Sequence, residues 1–312
     1  MKKNTAFFVN GGAGRMLTSI PAFENYQKEN PDDDFVIICE GGWDMFKGHP
    51  TLHKRCLVAD FPNIFEEKIK DRNCVSLEPY RIWEYYNQKC SIAQAFDIEI
   101  NKQGIRDLPA PSFHLSTEED VNGYHIVQEG KEKTGKDKIV VLQPFGRTSV
   151  NNKGFVYDSG GRSFDIMDTI ELTKKLKKDF GVILMSEHKM SGDDWENIGQ
   201  PEKIGLRQWA GIINNADHFI GIDSVGQHLA KSLGTSSTVV FGSTFPINTS
   251  YVNDSKVDII DFDKDTRKYS PIRIGFDEVI ERNNDRCLKF KDKYRCIDMI
   301  VKSAKKATGI KK

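Results

Sequence analysis

Short apolar runs that end in glycine or polar turns, followed by stretches with apolar residues three and four apart, recur along this chain. The first run, Thr5 to Val9, is β-prone and closes at Asn10-Gly11-Gly12-Ala13-Gly14, after which Met16, Leu17, Ile20 and Phe23 follow at helical spacing. A second strand, Phe35 to Cys39, comes behind the turn-forming Pro31-Asp32-Asp33-Asp34 and is closed by Gly41-Gly42. The order strand, loop, helix, strand predicts a parallel sheet. Leu57-Val58-Ala59 and Cys74 to Leu77 are shorter strand candidates, and Ile82 to Phe96 reads as an amphipathic helix. The alternation resumes in the second half. Strands at Ile139–Leu142, Val182–Met185, His218–Ile222 and Ser237–Phe241 are separated by helices near 165–178, 206–214 and 226–233. Residues 129–138 are charged and carry no large apolar side chain, which predicts a domain boundary there. The expected organisation is an α/β fold with an N-terminal domain over 1–135, a second domain over 136–280, and a closing helix over 281–312.

Composition narrows the class. At 312 residues and 38% hydrophobic the chain can bury two cores, and 29% charged residues make it water-compatible, which excludes disorder. No run approaches the length of a membrane helix, and the N-terminus shows no secretory signal. The six cysteines form no metal-binding spacing and read as buried thiols in a reducing compartment, so a cytoplasmic protein without a metal is expected. Net charge is zero, which speaks against a nucleic-acid coat. Residues 1–135 hold 16 basic against 21 acidic side chains, whereas 136–312 hold 29 against 24, which assigns an anionic ligand to the second half.

Two segments carry candidate chemistry. The loop with Gly11, Gly12 and Gly14 follows a strand and opens a helix, but Leu17 stands where a dinucleotide fingerprint has its third glycine. It is either a tight turn or a ligand-facing loop. The stretch from Ala216 to Pro246 delivers Asp223-Ser224 to a strand end with a helix starting at once. Ser224 can cap that helix, leaving the N–H groups of Val225, Gly226 and Gln227 for a diphosphate, with His228 one turn on; a plain helix cap is the alternative.

That stretch resembles the heptosyltransferase family, glycosyltransferase family nine, whose members carry Asp-Ser-Gly-Pro-x-His-Leu-Ala followed by Phe-Gly-x-Thr-x-Pro. Gly14 to Phe23 is similar to the family's opening Gly-Asp-x-x-x-x-Leu-Pro-Ala-Leu, Leu142 to Gly146 to its His-Pro-Gly loop, and Cys287 with Cys296 to Ile300 to its C-terminal helix. The resemblance implies a GT-B fold: two Rossmann-like domains with parallel sheets facing a central cleft, acceptor on the N-terminal one and nucleotide sugar on the other. It implies a metal-independent transferase with no tightly bound cofactor and a nucleotide-diphosphate sugar as co-substrate. The donor-binding residues it implies are Gly146, Arg147, Arg162, Glu187, Asp223, Ser224, Val225, Gly226, Gln227, His228 and Thr244, with Lys153 a further basic candidate. Val225-Gly226 replaces the family's Gly-Pro.

Arg15 stands where the family's Asp would activate the acceptor hydroxyl, and a guanidinium is no base at neutral pH. Arg15 can instead bind an anionic acceptor or the leaving diphosphate, while Glu40 or Asp44 is the expected base, with His49 and His53 as lesser candidates. Gly11, Gly12, Gly14 and Trp43 are expected at the acceptor, and Trp83 to Tyr86 reads as helix packing. The acceptor is expected to be a saccharide of a surface glycan or lipopolysaccharide. Two rival readings are a bacteriophage-type transferase acting on hydroxymethylated DNA bases, and a silent nucleotide-sugar binding protein.

Overall fold

The computed structural model describes residues 4–152, 155–265, 267–272, 287, 288, 290 and 292–310. They divide into two α/β units, one holding the described residues up to 114 with 270–272, the other those from 115 to 269 and from 287 onward.

The first unit is built on four parallel strands, β1 (Thr5–Val9), β2 (Val36–Cys39), β3 (Cys56–Val58) and β4 (Asn73–Leu77), in the order β3-β2-β1-β4. The order reverses beside β1. Val9 pairs with Cys39 on one side and Leu77 on the other, so the residues that follow, Asn10, Glu40 and Glu78, leave the sheet at one level. Helix α1 (Ala13–Glu29) follows β1 directly. Phe7, Phe23, Tyr26 and Phe35 pack edge to face or stacked between sheet and helix. Beneath them the buried Asp33 accepts from the Thr5 N–H and hydroxyl and from the Tyr26 hydroxyl. Burial and that carboxylate push the Tyr26 pKa up to about 12.

The single helix expected from Ile82 to Phe96 is two, α2 (Trp83–Tyr86) and α3 (Ile92–Asn101). Gln88 adopts a positive φ of 59° between them, and Ser91 with Gln94 forms a capping box that restarts the chain as a new helix. Cys74, on edge strand β4, is exposed, unlike the other five cysteines, and no disulfide forms.

The second unit begins earlier than the expected boundary. Residues 129–134 are not a linker but the end of α4 (Thr117–Thr134), closed by Gly135 in the left-handed region. Strands β5 (Ile139–Gln143), β8 (Gly181–Leu184), β9 (His218–Ile222), β10 (Ser237–Phe241) and β11 (Val257–Asp261) form a parallel sheet ordered β11-β10-β9-β5-β8. A hairpin, β6 (Ser149–Asn152) with β7 (Phe155–Asp158), stands apart from it. Helices α5 (Ile166–Leu176), α6 (Leu206–Asn215), α7 (Val225–Leu233) and the short α8 (Pro246–Thr249) connect the strands. The closing helix α9 (Lys293–Thr308) packs against α5 and β9 to β11 of this unit.

Helix α4 is fixed to α6 by contacts that no linker would make. A Cβ added to Gly123 would lie 2.1 Å from the Gly211 carbonyl carbon, and one added to Gly211 would lie 2.1 Å from the Glu119 carbonyl oxygen. Arg207 grips Glu119 with two bonds of 2.6 and 2.7 Å, which holds the Glu119 carboxyl down to about 2. The clash at Gly123 is against backbone, which cannot swing away. Gly123→Ala is therefore expected to destabilise the second unit by at least about 2 kcal/mol, read as a fall of several degrees in its thermal unfolding.

Candidate functional site

In a parallel sheet whose order reverses, the loops after the strands flanking the reversal part to opposite faces and leave a crevice between them. In the second unit those strands are β5 and β9, which bring Gln143 to Gly146 beside Asp223-Ser224. Asp223 is 6% exposed. Its Oδ2 accepts from the Thr244 hydroxyl at 2.7 Å, its Oδ1 from the Gln227 amide at 3.1 Å, and its backbone carbonyl from the Arg162 guanidinium at 3.0 Å. Thr244 thus orients Asp223. With two side-chain donors depending on this buried carboxylate, Asp223→Ala would cost stability as well as any ligand contact.

Ser224 does not cap α7 with its side chain. Its Oγ accepts instead from the Gln143 amide at 3.2 Å, which leaves the Ser224 proton to point elsewhere. Of the three N–H groups expected to be open, Gln227's is bonded to the Ser224 carbonyl at 3.3 Å. The Val225-Gly226 pair also has a local reason. A Cβ at 226 would meet Gln143 Oε1 at 2.3 Å and the Phe219 ring at 2.5 Å, so the first turn of α7 sits too close to β9 for a larger residue. His228 is buried, not directed outward, with Nδ1 at 2.9 Å from the Tyr251 hydroxyl. Burial lowers its pKa to about 4 against the opposing charge of Asp223, so the ring is neutral near pH 7.

A residue that sequence reasoning missed organises the rest. Asp158 is wholly buried at the end of β7. It accepts from the Thr148 hydroxyl, the backbone of Gly160, Arg162 and Ser163, and the Ser163 hydroxyl. Burial raises its pKa, but the bonds from Thr148, Ser163 and Gly160 outweigh that and hold it below the usual carboxylate range. Ser163 in turn accepts the Gly146 N–H at 2.9 Å, so that group is committed within the protein. The signal in the sequence was the polar turn Asp158-Ser159-Gly160-Gly161, which reads as a side-chain-stabilised turn.

Arg147 is exposed, and Lys153 lies outside the described residues. Glu187, also exposed, lines a cavity of about 320 Å³ with Ser186, His188, Gln200 and Trp209. His188 Nε2 lies 2.9 Å from Ser149 Oγ, which itself donates to the Gly146 carbonyl, so this cavity adjoins the β5 loop.

In the first unit the glycine loop is shaped by its neighbours. Gly11 has φ 90°, and its N–H donates to Glu40 Oε2 at 2.8 Å. Gly42, at φ 71°, sits where a Cβ would lie 2.6 Å from Ala13 Cα, so the turn carrying Trp43 and Asp44 packs on the start of α1. Trp43 is 41% exposed. Gly12 is the N-cap of α1, and Gly14 accepts the Thr18 hydroxyl within its first turns. Arg15 is buried between Tyr80 and Phe96 at 4.8 and 5.8 Å from their centroids, with Glu78 at 3.5 Å. His49, bonded to Glu24 and to the Thr51 and Leu52 N–H groups, is a structural histidine.

Residues 201–270 match the sequence model of glycosyltransferase family 9 (heptosyltransferase), which takes in the whole Asp223 to Thr244 region. Among solved structures the chain is similar to a family 9 glycosyl transferase from Veillonella parvula DSM 2008, with TM-score 0.60 and 12% identity over 84% of this chain and 87% of that one. It is similar to the ADP-heptose lps heptosyltransferase II of E. coli, with TM-score 0.54 and 9% identity over 97% and 99% of the two chains. The chain is thus similar to family 9 glycosyltransferases, in sequence over residues 201–270 and in fold beyond them. The dodecameric iron-containing heptosyltransferase TibC, solved with ADP-D-beta-D-heptose, matches at TM-score 0.57 and 13% identity over 99% of this chain and 76% of that one. TibC comes from enterotoxigenic E. coli H10407. No curated protein sequence matches this glycosyltransferase-like chain. Among the described residues no group of three or more His, Cys, Asp or Glu side chains could hold a metal. No helix among them is long and apolar enough to cross a membrane.

Burial makes two histidines of this unit sensitive to acid. His218, between the Ser236 and Thr238 hydroxyls at 2.8 Å each, is lowered by burial to about 4, as is His228. The unfolded chain binds these protons near pH 6.5 and the folded one does not. Stability from each is therefore full above about pH 6.5 and is lost as pH falls toward 4, by up to about 3 kcal/mol per histidine. Denaturant midpoints measured across that window should fall steeply, and His228→Gln should flatten the slope.

Proposed function

We propose that this chain transfers a sugar from a nucleotide-diphosphate donor to a saccharide hydroxyl, with the donor held at the β5/β9 crevice of the second unit. The observation that carries the reading is the convergence there of Arg162 with Ser224 and the start of α7, the last two inside the segment that matches the family 9 model. Arg162 spends one N–H on the Asp223 carbonyl, and its remaining donors suit a phosphate. The Ser224 hydroxyl and the Val225 and Gly226 N–H groups add uncharged donors at the positive end of α7. Asp223 and Thr244 set the loop's shape. The adjoining cavity lined by Glu187 and His188 takes the nucleoside, where a carboxylate can accept ribose hydroxyls. Because two of the similar structures are described as ADP-heptose enzymes or complexes, an ADP-linked heptose is the first donor to try.

The reading is tested by thermal shift with nucleoside diphosphates and nucleotide sugars, ADP and ADP-heptose first. Ligand-linked stabilisation is expected for one nucleotide, and Arg162→Ala should weaken it at least tenfold, about 1.4 kcal/mol, without lowering the unliganded melting temperature much. No stabilisation at millimolar ligand would leave a silent fold. An acceptor screen that includes saccharides and hydroxymethylated DNA then separates the acceptor classes.

A further inference from the structure

A serine hydroxyl has one proton to give and lone pairs that receive, and a ligand meets whichever of these the protein leaves over. Ser224 is half-buried in the turn between β9 and α7, at the crevice of the second unit. Its side-chain partner is Gln143, the last residue of β5, which is 6% exposed. Gln143 pairs across the sheet with Gly221, and its amide reaches the first turn of α7. A Cβ at 226 would lie 2.3 Å from Gln143 Oε1, so only glycine leaves room for the amide there.

We propose that Gln143 is a positioning residue that commits the Ser224 hydroxyl to donating, and so restricts this point of the crevice to a ligand atom that only accepts: an ionised oxygen of the diphosphate. This rests on the donor reading above. Gln143 Nε2 donates to Ser224 Oγ at 3.2 Å. An Oγ that already receives one N–H keeps its own proton, and no acceptor among the described residues takes it. The neighbouring carboxylate of Asp223 is turned to Thr244 and Gln227 instead. Receiving the amide also polarises the serine O–H, which strengthens the bond it gives outward.

Packing holds the amide in this orientation. Turned over, it would set its oxygen opposite Ser224 and take up the serine proton. Its two N–H donors would then stand beside Gly226 and the Phe219 ring, where carbon is the neighbour. As folded, the group on that side is Oε1, buried and without a hydrogen-bond partner among the described residues. One unpaired acceptor is less costly than two unpaired donors, so the crowding around Gly226 keeps Ser224 a donor. The ligand side of the crevice is then uniform in character. Arg162 has N–H groups beyond the one on the Asp223 carbonyl, and Ser224 adds an O–H beside them. A hydroxyl or amine of a ligand would bring a proton to a place already supplied with protons, whereas an ionised phosphate oxygen brings none.

Calorimetric titration with ADP, GDP, UDP and CDP tests this on the wild type, Gln143→Met, Ser224→Ala and the double variant. Methionine fills nearly the same space and lacks the amide. For the diphosphate that binds best, Ser224→Ala should weaken binding about tenfold and Gln143→Met about fivefold. The double variant should bind no more weakly than Ser224→Ala alone, because Gln143 acts through the serine. A packing role would instead make the two losses multiply. Should Gln143→Met fail to fold, Gln143→Glu replaces it: the carboxylate takes the Ser224 proton, so adding Ser224→Ala to it should change nothing further. Losses that multiply in either double variant, or wild-type affinity in Gln143→Met or Gln143→Glu, overturn the role of Gln143 and leave the donor reading standing. Failure of all four diphosphates to bind the wild type overturns the donor reading and this inference together.

Discussion

The carboxylate of Asp158 sees no solvent, and it is tolerable there only because donors from Thr148, Gly160, Arg162 and Ser163 converge on it. That requirement fixes the turn after β7, and the turn places Arg162 on the Asp223 carbonyl and Ser163 on the Gly146 N–H. The loops after β5, β7 and β9 are thus tied through one buried charge. On the proposed reading, a phosphate at this crevice would meet groups already ordered, and ordering them on binding would otherwise oppose affinity.

The parallel sheets were legible because their strands are buried on both faces and read as continuous apolar runs bounded by glycine or polar turns, as at Thr5–Val9 and Ile139–Gln143. The turn at Asp223-Ser224 was legible for a related reason: it sits between an apolar strand and an amphipathic helix, a position that few local structures share. What escaped depended on distant partners. Helix α4 carries little apolar surface, since it docks by Gly123 against Gly211 and by Glu119 against Arg207. Its local marks are the capping box of Ser116 with Glu119 and the closing Gly135, and its apolar periodicity is weak. The hairpin was missed because Ser149, Asn151 and Asn152 are poor strand formers, and Asp158 because a polar turn does not announce its own burial.

The likeness to solved glycosyltransferases at identities of 9 to 13% shows how little of a sequence this architecture demands. It asks for strand patterning, glycine where loop meets helix, and a few polar residues at the sheet edges. Gly226 accommodates Phe219 and Gln143, and Arg15 shares its buried site with Glu78.

The contact between α4 and α6 carries an implication for how such a chain can diverge. Gly123 faces Gly211 and Gly211 faces the Glu119 backbone, so enlarging either glycine forces the helices apart and no change at the other makes room. Most core positions drift by compensation, one side chain growing as its neighbour shrinks. Here both side chains are already as small as they can be. The pair is a dead end for gradual exchange, and lineages that keep this helix on this unit should hold both glycines while the surrounding faces vary freely.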